Sequence, residues 1–445
     1  MNPKTIRPFL RYSLPCLLAL LAFGSAMAAD PFDKVIYRFQ GGADGSNPVS
    51  NLIADRAGNL YGTTEYGGAG GYYGTVFELT PPSKAGESWT QATLYSFGNH
   101  GDGARPTAGL VFDRAGNLYG TTSDSNAGGY GEIFELSPPA VAGGACTETV
   151  LYSFQGGADG AYPYGGVIFD ETGNLYGTTG STVFQLRPPV IRGGAWTLDV
   201  LHEFKSLTDD GWNSVAGLVR DLRGNLYGTT EWGGTAHPPD CGSLGCGTVF
   251  EVSPPLAPGG AWREQVLHSF TAGTDGFIPF SSVALDASDN LYGTTYSGGT
   301  LGGGTLFQMT PPTQQGGAWT EAVIHSFNYG YKDGAAPQAG PIMDAAGNLY
   351  GTAEFGGDDC YYNTTPYGCG VVYKLARPST AGDAWTEAIL YRFTTGDISP
   401  KEPQASLLFD SGGNLYGTTT FGGYNTCSDD GANGCGTVFE IVRHW

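Results

Sequence analysis

Gly58-Asn59-Leu60-Tyr61-Gly62-Thr63-Thr64 decides the fold, because it returns nearly unchanged six more times, centred on Asn117, Asn174, Asn225, Asn290, Asn348 and Asn414. Successive copies lie 51–66 residues apart. Self-similarity at such a period marks one repeat architecture, not the two or three domains that 445 residues would otherwise suggest. Working outward from the first copy, an apolar run at 52–55 ends in Asp55. Past a glycine-rich loop comes Thr-Val-Phe-Glu-Leu at 75–79, and past a Pro-Pro loop comes Leu-Tyr-Ser-Phe at 94–97. The β-branched and aromatic content of these runs predicts four strands per repeat, A to D in chain order. The 73 glycines, 13% aromatics and only 14% charged residues suit short strands and tight turns.

The two ends of the pattern set the topology. The chain opens with a D-type strand, 35–39, that has no A, B and C before it. The seventh repeat ends in a C-type strand, 437–441, with no D after it. The predicted fold is therefore all-β: a seven-bladed β-propeller of four-stranded blades, its ring closed by the N-terminal strand pairing with the last blade. An open β-solenoid would need shorter coils and no such split. Asp-x-x-Gly-Asn between strands A and B predicts a hairpin with a left-handed residue; the fifth copy places Asp289 there instead of Gly. Trp89, Trp196, Trp262, Trp319 and Trp385 recur between C and D and are expected between neighbouring blades, with Cys146 in the same place in the second repeat.

The unit Asp-x-x-Gly-Asn-Leu-Tyr-Gly-Thr-Thr followed by Gly-Thr-Val-Phe-Glu-Leu resembles the GloVer tandem-repeat (choice-of-anchor) family of bacterial exported proteins. Its A–B segment also resembles the inner hairpin of NHL-type and SMP-30-like propellers. The resemblance implies an exported, propeller-like protein of unassigned biochemical role. Many members carry a C-terminal sorting segment; here the last repeat runs to Trp445, so attachment to the cell surface is left open.

Residues 1–28 read as a signal peptide: Lys4, Arg7 and Arg11, then a short apolar core, then Ala26-Met27-Ala28. The remainder, 29–445, is expected to be one propeller domain, secreted or periplasmic, with no membrane span after cleavage, and monomeric. Losing three cations takes the net charge from −21 to −24, which disfavours nucleic acid as a partner. Six cysteines pair within B–C loops: Cys241 with Cys246, Cys360 with Cys369, and Cys427 with Cys435. An exported chain can oxidise these to disulfides, and the sparse nearby histidines argue against zinc there.

In a propeller the B–C and D–A loops share one face, and the sequence variation collects there. Glu231, Trp232, Trp212, His237, Glu65, Tyr66, Glu354, Phe355 and Asp210 are the candidate ligand-binding residues. Carboxylates beside aromatic rings suit an extracellular glycan, since rings stack on a pyranose and carboxylates accept its hydroxyls; a protein partner is the other expectation. No cofactor is expected beyond calcium at the loop carboxylates. The repeated Asp-Gly of the D–A loops is equally a turn device. His202, His268 and His325 replace the tyrosine of Leu-Tyr-Ser-Phe and read as strand packing. Blade three has almost no B–C loop, which predicts a notch in the rim. The chain lacks G-x-S-x-G, H-E-x-x-H and P-loop motifs, so no catalytic residue is assigned. A non-catalytic binding module is the first expectation. A glycoside hydrolase or polysaccharide lyase working in the funnel, or a structural envelope protein, are the alternatives.

Overall fold

Every letter of the repeated heptapeptide has a structural task in the computed structural model. It describes residues 33–443 apart from 85, 99–100, 125–128, 140–144, 192, 206–208, 258, 315, 330–332, 358–359, 363–364, 381, 395–398, 425–426 and 428–433. The predicted signal peptide lies outside the described residues. Blade one consists of strands Ile53–Ala54, Leu60–Thr64, Thr75–Thr80 and Thr90–Ser96, paired antiparallel in that order. Seven such four-stranded sheets follow one another. The predicted A strands shrink to two residues of pairing each, because their N-terminal halves turn away into the channel wall.

The last sheet confirms the predicted closure. Leu408–Phe409, Leu415–Thr419 and Thr437–Ile441 receive Asp33–Arg38 as their outer strand, in a register from Asp33 opposite Ile441 to Arg38 opposite Thr437. The first and last strands of the ring thus hold each other, and no outer edge of blade seven is left bare.

Within the motif, Asn59 and Asp55 build the hairpin. The Asp55 carboxylate accepts the amides of Ala57 and Asn59, the Asn59 side chain and the Tyr61 hydroxyl at 2.8–3.2 Å. Gly58 closes the turn at φ 86°, and Asp289 takes the equivalent left-handed conformation at φ 61°. Leu60 is buried, and Tyr416 meets Trp89 of the next blade edge-on. The same Trp–Tyr contact joins Trp196 to Tyr119, Trp262 to Tyr176, Trp319 to Tyr227 and Trp385 to Tyr292, with centroids 5.9–6.4 Å apart. Cys146 holds the second blade's version of this place as a half-buried free thiol, packed against the same core cluster as Tyr61. Gly62 lies under the ring of Phe77; a Cβ there would stand 2.7 Å from the ring carbon.

The first threonine of each copy carries the ring. Thr63, Thr121, Thr178, Thr229, Thr294, Thr352 and Thr418 each donate a hydroxyl hydrogen to a main-chain carbonyl of the next blade, at 2.7–3.2 Å. The seventh, Thr418, reaches Ser50 and completes the circle. The second threonine clasps strand B to strand C, as Thr64 with Thr75 at 2.8 Å. Among the described residues no helix is long and apolar enough to cross a membrane.

Candidate functional site

The D–A and B–C loops of a blade cross and pair on one face. Ser46 bridges Tyr66, Ala104 bridges Asp124, Phe277 bridges Ser297 and Lys401 bridges Phe421. Trp212 pairs with Trp232 and Ala335 with Phe355 in short ribbons. Directly after this crossing every blade puts a non-glycine residue in the left-handed region: Asn47, Arg105, Tyr162, Asn213, Ile278, Ala336 and Glu402, at φ 54–60°. Such a conformation costs energy and persists only where its surroundings enforce it. The enforcement comes from the preceding blade: the amides of Asn47, Ile278 and Glu402 donate to the carbonyls of Cys435, Cys246 and Cys369 at 2.8–3.0 Å. These three are the second cysteines of disulfides Cys427–Cys435, Cys241–Cys246 and Cys360–Cys369. The staples therefore brace the carbonyls on which the next loop hangs.

Further along, one residue per blade enters the channel mouth, among them Val49, Thr107, Tyr164, Val215, Phe280, Gln338 and Gln404. Below them the wall is made of small residues, such as Ser50, Ala108, Gly165, Ala216 and Ser281, around a cavity of about 270 Å³. These mouth residues follow the proline of the D–A loop (or Ser214 in blade four), a register the sequence carries but no motif flags.

One sector of the mouth, on blades five to seven, is a buried acid cluster. Glu354 is 6% exposed; its two oxygens accept the side-chain amides of Gln338 and Gln404 at 2.6 and 3.0 Å, and Tyr296 hydrogen-bonds the same carboxylate. Burial pushes Glu354 up, and those hydrogen bonds only partly offset it. Beside it, burial and the Glu354 charge push Glu402 up to about 7. Phe280 packs edge-on against Tyr296, and Tyr367 lies between Phe355 and Tyr329.

The opposite sector is aromatic. Arg105 stands 5.3 Å over the Tyr66 ring, and burial together with Glu65 pushes the Tyr66 hydroxyl up. Tyr162 stacks on Tyr164 and meets Tyr130 edge-on. Tyr130, Tyr162, Tyr164, Tyr329 and Tyr367 are each 37–43% exposed. The first three cluster where blade three turns directly from Thr179 to Thr182, the predicted notch.

The remaining candidates are spread out. Glu231 is half-buried, accepts the Asn213 amide and is pushed up by burial. Trp212 and Trp232 are half-buried across their ribbon, and His237 is exposed. Asp210 ties its own loop together: it accepts the amides of Lys205 and Gly211 and faces His202 Nε2 at 3.1 Å. Asp44 and Asp102 do the same with Tyr37 and Tyr95, so the repeated Asp-Gly acts as a turn device at all these positions. In the seventh loop Ser399-Pro400 takes that place. Tyr130, Tyr329, Tyr367, Gln338, Gln404 and Glu402 carry no sequence signal that marks them as site residues.

Solved structures similar to this chain include a Bacteroides uniformis protein assigned as a 6-phosphogluconolactonase (14% identity, TM-score 0.47, 76% of this chain and 83% of that one). The extracellular domain of a hybrid two-component system from B. thetaiotaomicron matches at 12% identity and TM-score 0.48, over 94% of this chain and 42% of that one. PorZ of Porphyromonas gingivalis, a surface component of the type-IX secretion system, matches at 14% and 0.48, over 92% and 48%. This chain thus spans less than half the length of the last two. No curated protein matches it. The sequence model of the Gloeobacter/Verrucomicrobia repeat matches residues 23–182 and 179–423, and the chain belongs to that family.

Proposed function

We propose that this propeller is an exported, non-catalytic binding module for an extracellular glycan, which enters at the blade-three notch and lies across the channel mouth. The observation that carries this reading is the exposed cluster Tyr130, Tyr162 and Tyr164 at the notch, with Tyr164 reaching into the mouth. Rings presented at such a gap suit stacking on sugar faces, and Gln338 and Gln404 at the mouth offer amide groups for sugar hydroxyls. Three disulfides fit an oxidising compartment.

A hydrolytic reading rests on Glu402, whose raised carboxyl stands beside a second acid as a general acid would. Against it, both Glu354 oxygens are already engaged by glutamine amides, which leaves the pair without an obvious base. The test is a polysaccharide array on the mature protein, with and without calcium, followed by a product assay on each hit. Binding without new products, weakened at least tenfold by Tyr164→Ala, is expected. Released oligosaccharides abolished by Glu402→Gln would replace the module with an enzyme.

A further inference from the structure

Away from the mouth, the outer wall repeats an arrangement that strand packing does not account for. At the His325 position, strand D of blade five faces the D–A loop and strand D of blade six. His325 Nε2 lies 3.5 Å from Asp333 Oδ1 and 3.5 Å from Glu387 Oε1. Both His325 Nε2 and Glu387 Oε1 are shielded from solvent, and they are held at ion-pair distance, beyond ideal hydrogen-bond length. A buried trio held at ion-pair distance and not closed into short hydrogen bonds needs an explanation. The spacing supplies one: ligands about 2.0–2.2 Å from a tetrahedral ion stand about 3.4 Å apart. Asp333 is already oriented by the amides of Asn328 and Gly334, as a ligating carboxylate is in metal sites.

The arrangement recurs one blade pair earlier. His202 Nε2 lies 3.1 Å from Asp210 Oδ2, and Glu264 of blade four completes the set; its buried Oε1 has no hydrogen bond, as is also true of Glu148 and Glu321, so it is the histidine with its two acids in reach that sets the trios apart. In both trios one ligand atom from each residue lies within 4.8 Å of the others. A groove lined by Asp210 and Glu264 runs alongside, which leaves room for water as a further ligand. The third histidine, His268, differs. Its Asp275 is engaged by the Thr271 hydroxyl at 2.6 Å, and the trio with Glu321 does not draw together as tightly.

We propose that His325, Asp333 and Glu387 bind a divalent first-row transition-metal ion between blades five and six, and that His202, Asp210 and Glu264 bind a second between blades three and four. One imidazole with two carboxylates suits zinc-like ions better than calcium, which takes oxygen ligands alone. Each ion would clip the outer strands of neighbouring blades together. Blade one provides the control within the chain, since Tyr95 takes the histidine's place beside Asp102 and Glu148.

The test is calorimetric titration of the chelator-treated mature protein with Zn²⁺, checked by elemental analysis after dialysis. Two ions per chain are expected, with one lost in His325→Tyr and both lost in His202→Tyr/His325→Tyr. Tyrosine is the chain's own residue at equivalent positions, so these variants should fold, as far-ultraviolet circular dichroism would verify. His268→Tyr and His237→Ala should leave the count at two. No zinc uptake at micromolar concentration, or two ions retained by the double variant, would overturn the proposal. So would Ca²⁺ displacing Zn²⁺ at equal concentration.

Discussion

At the scale of single residues, the heptapeptide is repeated because each side chain faces a neighbour that is also repeated. The threonine ring is the sharpest case. Removing the Thr418 hydroxyl strands the Ser50 carbonyl at the seam of the circle. Thr418→Val should cost about 1–3 kcal/mol, the usual penalty for an unsatisfied buried group, read as a lower denaturant midpoint with an unchanged m-value. Glu402 gives a pH signature of its own. Its folded carboxyl sits at about 7 against an unfolded value of about 4.3. The stability tied to it is therefore full below pH ~4.3 and is lost as pH rises through ~7. Glu402→Gln should flatten the fall in stability across that window. A slope that does not change would show that the carboxyl is not perturbed. These residues were the hardest to read in advance. Glu402, Gln338 and Gln404 sit in a register that changes identity in every blade, and nothing local marks it. Glu387 is separated from His325 by a whole repeat, so their meeting depends on how adjacent blades pack.

At the scale of elements, the A–B hairpin explains the Asp-x-x-Gly-Asn signature and carries a second pH dependence, of opposite sign. In Asp55, Asp170, Asp286 and Asp344 burial pushes the carboxyl up. The asparagine side chain and the turn amides outweigh it, so all four lie below the usual range. Their stabilisation is present above pH ~3.9 and is lost as pH falls through the folded values. Acid unfolding should therefore begin below pH ~4, and Asp344→Asn should move its midpoint upward in a circular-dichroism titration. Strands B, C and D were legible because their apolar runs are long and repeated. Strand A is shorter than its apolar run suggests, since the residues before Ile53 have strand-like sequence but line the channel wall. The disulfides were legible from spacing within one loop; their partnership with the left-handed residues of the next blade was not, because it crosses between repeats.

At the scale of the molecule, closure by Asp33–Arg38 makes the ring cooperative. Deleting residues 33–38 from the mature chain exposes the edge of Thr437–Ile441, and a broadened thermal transition with concentration-dependent association is expected. A deletion variant that melts sharply at the wild-type temperature would remove the closing role of that strand. The whole ring also separates two faces: tight hairpins on one side, variable loops, acids and tyrosines on the other. Glycan binding at the loop face depends on that asymmetry. Its most direct test is the hydrogen-exchange footprint of an array-positive polysaccharide on the intact protein. Protection should fall on the loop face, around Tyr162 to Tyr164, residues 334–338 and residues 402–404, and should disappear with Tyr164→Ala. Protection confined to the Asp-x-x-Gly-Asn hairpins of the opposite face, or no polysaccharide bound at all, would contradict it.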